Sequence, residues 1–489
     1  MTIPMKEHSI RYNFLMNLIL TGTQMLYPLI TFTYAARIIG PQGIGNVSFA
    51  YNIVSYFTGF AAIGLPTYGI RAFAQVRDDP KELSRTYQEL MGISLITSSI
   101  SYLVFFILLL TIPHFRRVHT LLLIAGLNVI LTVLGTQWFY QGIEEYGHIT
   151  RAGLIARGIA LIILFVFVRD KNDTDAYMWS YLISESGFVI INITQIRKYV
   201  TFKRFDHYDF KRHLKPLLYF YAMAVSTSIL TSLDTTMLGF MSGSAETGYY
   251  NGALKITRVL TTVSMVYGSV LMPRISNLAH HGEDHAATKL MSQSVEFLNV
   301  VSYPLIIFSF FFAPQIIRFL CGPDFDRSIL ILRYLLPSVL VNATSNMMAY
   351  QILAPYGKEK NITISIFSGA IVDFVLNAIL IHFFDGIGAA IATCVSELCV
   401  AGLDAYFCRS HLKELLASIK IRYIPLSIAA SILTCLLVGL VRAGGNLVNL
   451  LLRGILFVVI YFTVMILIKE PLVTDFYRSI THKLSKKGK

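Results

Sequence analysis

The chain has 489 residues, 55% of them hydrophobic and only 14% charged, with a mean hydropathy of +0.60. A soluble domain carries roughly 25% charged residues. This composition therefore argues against disordered, collagen-like and disulfide-framework proteins and against most soluble enzymes. Lys+Arg number 41 against 28 Asp+Glu, a net charge of +13 with His neutral, and the placement of those cations separates a nucleic-acid surface from a membrane topology.

Lys6 and Arg11 precede a largely apolar run from Phe14 to Ile39. That run is longer than the ~7–15-residue core of a cleavable signal and no clear small-residue site closes it. A bilayer core needs about 20 apolar residues per helix. By that measure spans are expected near 11–36, 44–66, 90–112, 118–141, 149–168, 176–196 and 215–241, then near 249–273, 296–317, 328–353, 361–383, 386–408, 423–441 and 449–468. The fold class is thus an all-α polytopic membrane protein of about 14 transmembrane helices. After the second span, Asp79, Pro80 and Glu82 fit the N-cap, N1 and N3 positions of a short helix. With Leu83, Tyr87 and Leu90 on one side, it reads as a membrane-surface helix or an ordinary loop helix. Pro28, Pro304 and Pro337 fall within spans, where each can kink its helix.

Placing both termini in the cytoplasm puts 28 basic residues on inside segments and 10 on outside faces. The loop from Arg197 to Lys215 alone supplies seven of the inside set. This asymmetry follows the positive-inside rule and removes the nucleic-acid reading, because the cations flank membrane segments. The halves also superpose at a shift of 203 residues, with Gly45 on Gly248, Ala50 on Ala253, Ile53 on Ile256 and Arg71 on Arg274. The repeat unit is then six helices in a parallel repeat, an arrangement used by transporters. The expected organisation is a six-helix bundle at 1–196, a basic cytoplasmic linker at 197–214, a second bundle at 215–408, and two added helices with a basic tail at 409–489.

Ionisable groups at bilayer depth are costly and usually face a cavity or a partner. The basic set at depth is Arg157, Lys255 and Arg258, with Arg37 and Arg151 nearer helix ends; the acidic set is Glu185, Asp234, Asp373, Glu397 and Asp404. One reading pairs them structurally, Asp234 with Lys255 or Arg258 and Glu185 with Arg157. The other makes a cationic cavity between the halves for an anionic headgroup, with a carboxylate that titrates or binds Na⁺; Asp234, Glu185, Asp373 and Glu397 are the coupling or gating candidates. Arg suits phosphate because its planar fork donates two parallel hydrogen bonds.

Catalytic motifs are sparse. The five cysteines form no CxxC pair and read as packing residues. His280, His281 and His285 sit in a polar loop, and no P-loop is present. The DxD pairs Asp173/Asp175 and Asp324/Asp326 lie in short outside loops without a soluble lobe around them. No catalytic residue, metal site or cofactor is expected beyond a coupling H⁺ or Na⁺.

The stretch PLITFTYAARIIGPQGIGNVSFAYNIVSYFTGFAAIGLPTYGIRAFAQVRDD (Pro28–Asp79) resembles the N-terminal signature of polysaccharide-repeat-unit flippases, members of the multidrug/oligosaccharidyl-lipid/polysaccharide exporter superfamily. DTTMLGFMSGSAETGYYNGALKI (Asp234–Ile256) resembles the start of that family's second half. The resemblance implies two pseudo-symmetric six-helix bundles, alternating access, and transfer of an undecaprenyl-diphosphate-linked oligosaccharide to the outer leaflet of a bacterial inner membrane. It implies that Arg37, Arg157, Lys255 and Arg258 line a cavity for diphosphate or acidic sugars, and that Asp234 couples or gates. It also implies a polysaccharide polymerase and chain-length machinery as partners. Alternatives within transport are a peptidoglycan-precursor (lipid II) flippase and a cation-coupled drug exporter; a different class is a membrane-embedded polymerase or ligase.

Overall fold

The computed structural model describes residues 10–441, 445–475 and 477–478. Lys6, Arg442, Lys483, Lys486, Lys487 and Lys489, all counted in the charge asymmetry, lie outside them. The described residues are mostly helical and contain no strand. The chain forms two compact units, one ending at Gly248 and the other beginning at Tyr249.

In the first unit α1 (Ile10–Ala62) is followed by α2 (Leu65–Val76), α3 (Pro80–Thr111), α4 (His119–Leu134), α5 (Gln137–Gly142), α6 (Tyr146–Phe167), α7 (Thr174–Ser186), α8 (Val189–Ile196) and α9 (Lys211–Met241). α1 packs on α3, α4, α6 and α9. Its backbone breaks at Gly40 (φ 68°, ψ −176°), ahead of Pro41, and not at Pro28. Gly tolerates that positive φ without a Cβ clash.

Asp79 caps α3 as expected: its Oδ1 accepts from the backbone N–H of Lys81 at 2.9 Å and of Glu82 at 3.2 Å. The capped segment is not a separate surface helix, however, but the first turns of α3. At ~1.5 Å per residue, the 32 residues of α3 outrun a ~30 Å hydrocarbon core, so its capped end projects beyond it. Leu83, Tyr87 and Leu90 are buried there in a core with Phe73, Trp138, Phe139 and Tyr140.

Further along α3 the usual polarity is inverted. Ser94, Ser98 and Ser101 are buried, while Leu103 and Leu110 are 63% and 74% exposed. Thr97 Oγ1 donates to the Ala61 carbonyl at 2.7 Å and Ser101 Oγ to the Phe57 carbonyl at 2.8 Å. Hydroxyls inward and aliphatic chains outward suit lipid as the surrounding solvent, because small polar residues allow close helix approach and interhelical hydrogen bonds.

α10 (Ser244–His280) carries the chain into the second unit, which continues through α11 (Asp284–Phe297), α12 (Tyr303–Phe311), α13 (Ala313–Leu320), α14 (Asp326–Met347), α15 (Glu359–Phe407), α16 (Arg409–Ser418), α17 (Tyr423–Gly439) and α18 (Asn446–Leu467). π-helical turns join α11 to α12 at Leu298–Ser302 and extend α14 at Met348–Leu353. α14 packs along α15, and α17 lies against α12 and α18. α15 breaks at Asp385 (φ 51°), whose carboxylate pairs with Arg327 at 3.0 Å. Arg453 on α18 is buried. It donates to the carbonyls of Val441 at 2.8 Å and Gly439 at 3.3 Å, satisfying the orphan acceptors at the end of α17. The cysteines are all free.

Among the described residues eight helical segments are long and apolar enough to cross a membrane, or nine if α16 and α17, bent by 67°, count as one span. The molecule is an all-helical polytopic membrane protein.

Candidate substrate-binding site

In the first unit two of the expected site residues, Arg157 and Glu185, come together with groups of α1 and α7. Arg157 lies midway along α6, half-buried, and its Nη1 donates to Thr23 Oγ1 of α1 at 3.0 Å. Gly153, one turn earlier, leaves room for the guanidinium: a Cβ there would lie 3.2 Å from Nη1. Tyr27, a turn beyond Thr23, places its hydroxyl 3.4 Å from Ser180 Oγ of α7. Glu185, exposed on α7, acts by charge on both Arg157 and Tyr27. The fold thus gathers Arg157, Glu185, Thr23 and Tyr27 into one polar cluster from segments more than 130 residues apart.

Asp234 sits on α9 at 7% exposure, and its charge acts on Tyr56 of α1, whose hydroxyl lies 3.2 Å from Thr236 Oγ1. Arg37 is exposed on α1, just before the Gly40 break.

In the second unit Lys255 is half-buried and Arg258 exposed on α10; the i,i+3 spacing keeps them on one helix face. The carboxylates line the seam of α14 and α15. Asp373, 1% exposed, receives Ser396 Oγ at 3.1 Å and Asn377 Nδ2 at 3.0 Å. Ser396 lies beyond the Asp385 break, so Asp373 ties the two arms of α15 together. Glu397 Oε1 accepts from Asn342 Nδ2 at 2.8 Å, and Asp404 Oδ2 accepts from Ser345 Oγ at 2.6 Å. Each of these carboxyls has a neutral amide or hydroxyl partner. Such partners accept either protonation state more readily than a fixed cation does.

Sequence reasoning did not find the polar centre built on Glu89. This residue of α3 is fully buried and accepts from Arg85 Nε at 3.2 Å, Arg212 Nη2 at 2.6 Å and the Asp209 backbone N–H at 2.6 Å. His213 Nε2 lies 2.9 Å from it, and His213 Nδ1 is 2.8 Å from the Tyr68 hydroxyl. Nearby, Gln88 Nε2 donates to the carbonyls of Thr201 at 2.8 Å and Lys203 at 3.1 Å, and Tyr208 donates to Gln88 Oε1 at 2.7 Å. The basic segment expected as a linker is therefore fastened along α3. The i,i+4 pair Arg85–Glu89 was visible in the sequence; its partners some 120 residues on were not.

The DxD pairs have structural uses. Asp173 Oδ2 accepts the backbone N–H groups of Arg169 at 2.9 Å and Asp170 at 2.7 Å, which hold its carboxyl below the usual carboxylate range. Asp326 pairs with Arg318 at 2.7 Å. Among the described residues no group of three or more His, Cys, Asp or Glu side chains is arranged to hold a metal ion.

A helical membrane protein with ionisable groups at depth in both units has the build of a transporter. The fold is shared with the lipid II flippase MurJ in an inward closed conformation, at a TM-score of 0.72 and 16% identity over 96% of this chain and 100% of that one. It is also shared with an inward-facing multidrug resistance MATE family transporter, at a TM-score of 0.59 and 15% identity over 82% and 99% of the two chains. Residues 10–279, more than half of the chain, match the family described as polysaccharide biosynthesis protein, and the chain belongs to that family. Residues 221–379 match the MatE family. A protein of Escherichia coli (strain K12) named as an O-antigen transporter is 20% identical over 406 residues, 82% of this chain and 97% of that protein. One of Haloferax volcanii named as a flippase of low-salt glycan biosynthesis is 22% identical over 318 residues, covering 63% and 64% of the two chains.

Proposed function

We propose that this protein is a lipid-linked oligosaccharide flippase, moving undecaprenyl-diphosphate-linked polysaccharide repeat units from the cytoplasmic to the outer leaflet of a bacterial inner membrane by alternating access. The observation that carries this reading is the family match over residues 10–279, joined by relatives named as transporters that align over nearly their whole length. The protein acts as a transporter and not as an enzyme.

The chain crosses the membrane 14 times with both termini in the cytoplasm. The breaks at Gly40 and Asp385 support that count, since each falls between two stretches of spanning length. The 28-to-10 distribution of basic residues supports the orientation. Arg37, Arg157, Lys255 and Arg258 contact the diphosphate or acidic sugars. The half-buried Arg157 and Lys255 suit an anionic cargo better than a cationic drug. Asp234, Glu185, Asp373 and Glu397 are the candidates for coupling to H⁺ or Na⁺, and a polymerase with chain-length machinery takes up the product.

Deleting the gene and analysing lipid-linked intermediates tests the function. Build-up of the complete lipid-linked repeat unit on the cytoplasmic leaflet is expected. Normal surface polymer together with drug hypersensitivity would overturn the reading in favour of an exporter.

A further inference from the structure

Three helix interruptions in the first unit open onto one cavity. The first is at Ile63 and Gly64 (φ 37° and 75°), just ahead of Pro66 on α2. The second is at Thr136 (φ 47°), which separates α4 from α5 and precedes Gln137. The third is the turn at Gly187 between α7 and α8, flanked by Ser186 and Phe188. Pro66, Gln137, Ser186 and Phe188 all line a cavity of about 330 Å³. Interrupted helices at membrane depth persist where the freed backbone is buried in protein or borders a cavity, and transporters place binding sites at such interruptions. Here the middle interruption is locked by Asn192, whose Nδ2 donates to the Gly135 carbonyl at 2.5 Å while its own carbonyl accepts from the Tyr140 hydroxyl at 2.7 Å.

The side chains facing this cavity are mainly neutral hydrogen-bonding groups. Gln137 and Gln141 stand at i,i+4 on α5 and Asn128 and Thr132 at i,i+4 on α4, with Trp138 and Glu185 completing the wall. Asn128 Oδ1 accepts from Ser186 and from Thr132, the latter at 3.3 Å, which fixes the amide orientation. The side-chain amides of Gln137 and Gln141 make no hydrogen bond to another described residue. Trp138 is held by Phe73 stacked at 5.4 Å and by Gly69, where a Cβ would come within 2.7 Å of the indole.

Among the described residues no cation lines the cavity, which fits a neutral ligand better than a diphosphate. Paired amides and a hydroxyl beside a carboxylate and an indole match the alternating donors and acceptors of sugar hydroxyl and N-acyl groups. An aromatic wall supplies apolar contact to the sugar ring.

We propose that this cavity is a subsite for uncharged sugar residues of the glycan, with Gln137 and Gln141 as its principal hydrogen-bonding groups and Glu185 accepting from a sugar hydroxyl. This inference rests on the flippase reading. The polar residues that interrupt the fourth hydrophobic stretch are then recognition groups.

The chain has two tryptophans, so Trp179→Phe leaves Trp138 as a reporter inside the site. Full-length protein with that change, in nanodiscs, is titrated with the glycolipid extracted from the deletion strain and with undecaprenyl diphosphate alone. Calorimetry supplies affinities and Trp138 emission reports occupancy. The glycolipid should bind more tightly and alone shift the emission. Q137A/Q141A should weaken glycolipid binding about ten-fold without changing binding of the sugar-free lipid. T132V, nearly isosteric, should weaken it about three-fold and decides the matter if the double variant does not fold. Equal affinity for the two lipids, or equal losses for both in the variants, overturns the subsite while leaving the flippase reading intact. If no glycolipid accumulates in the deletion strain, the flippase reading fails and the subsite falls with it.

Discussion

Gly45 and Gly248, separated by the 203-residue shift of the internal repeat, meet backbone to backbone. A Cβ on Gly45 would fall 1.6 Å from the Ser244 carbonyl oxygen and 2.9 Å from the Gly248 nitrogen; one on Gly248 would fall 1.9 Å from the Pro41 carbonyl oxygen. The repeat-related segments around Gly45 and Gly248 are therefore docked on each other, and both obstructions are main chain. Gly45→Ala and Gly248→Ala should each destabilise the protein by about 1–3 kcal/mol, the usual range for overpacking. The loss should show as a lower thermal midpoint in detergent and reduced membrane yield. Gly22→Ala, where a Cβ meets nothing within 4 Å, is the control expected to leave both unchanged.

Glu89 should hold the segment after α8 in place. Replacing it leaves Arg212 and His213 facing each other without their shared anion. Breaking a buried ion pair costs about 3–5 kcal/mol, and the 20% and 33% exposure of Arg85 and Arg212 brings the expectation to about 2–3 kcal/mol. Glu89→Gln should speed hydrogen exchange across residues 201–212 by roughly ten-fold or more, whereas Glu82→Gln should have a small effect. Unchanged exchange in Glu89→Gln would show that the backbone contacts of Gln88 suffice.

Arg157 and Arg258 test the cationic contacts. Arg157→Ala removes the charge beside Glu185 and the hydrogen bond to Thr23, while Arg157→Lys keeps the charge. Transport, followed as clearance of the lipid-linked unit, should fall about ten-fold or more in the Ala variant and less in the Lys variant, in line with a charge-assisted contact of roughly 1.5–3 kcal/mol. The same order is expected for Arg258→Ala and Arg258→Lys. Normal transport in both variants at a position removes that residue from the site.

Asp373 separates coupling from packing. Asp373→Asn keeps the volume, and an amide can still meet Ser396 and Asn377. If Asp373 exchanges a proton or binds Na⁺, transport in the variant should lose its dependence on pH or Na⁺ while the thermal midpoint moves little. Retained ion dependence would assign the residue to joining the arms of α15.

Glu470 gives a pH effect outside the spanning helices. Its carboxyl is 1% exposed; Oε2 accepts the Val473 backbone N–H at 2.8 Å and Oε1 is buried without a partner. Burial pushes its pKa above the ordinary value of 4.5, with Glu296 adding to the rise and Lys420 opposing it. The folded protein therefore binds the proton more tightly than the unfolded chain does. This group's contribution to stability is full below the ordinary carboxylate value and is lost as pH rises through the folded value. Glu470→Gln should raise the thermal midpoint at neutral pH, and the difference should vanish near pH 4. A lower midpoint for the variant at pH 7 would contradict this.

The features legible in the sequence were those set locally or by composition. Apolar stretch lengths and the scarcity of charge determined a helical membrane protein, because lipid cannot satisfy exposed backbone polar groups. Asp79-Pro80 specified the start of α3 through contacts within one turn, and the Gly45/Gly248 pair marked the repeat because only glycine permits that approach. Tertiary structure alone decided that Glu89 receives Arg212, that Arg453 turns inward to cap α17, and that Asn128, Gln137, Gln141 and Glu185 face one cavity. Those outcomes depend on where helices break and how they rotate against one another, and an aqueous or lipid-facing pattern along one helix carries no record of which distant side chain will meet it.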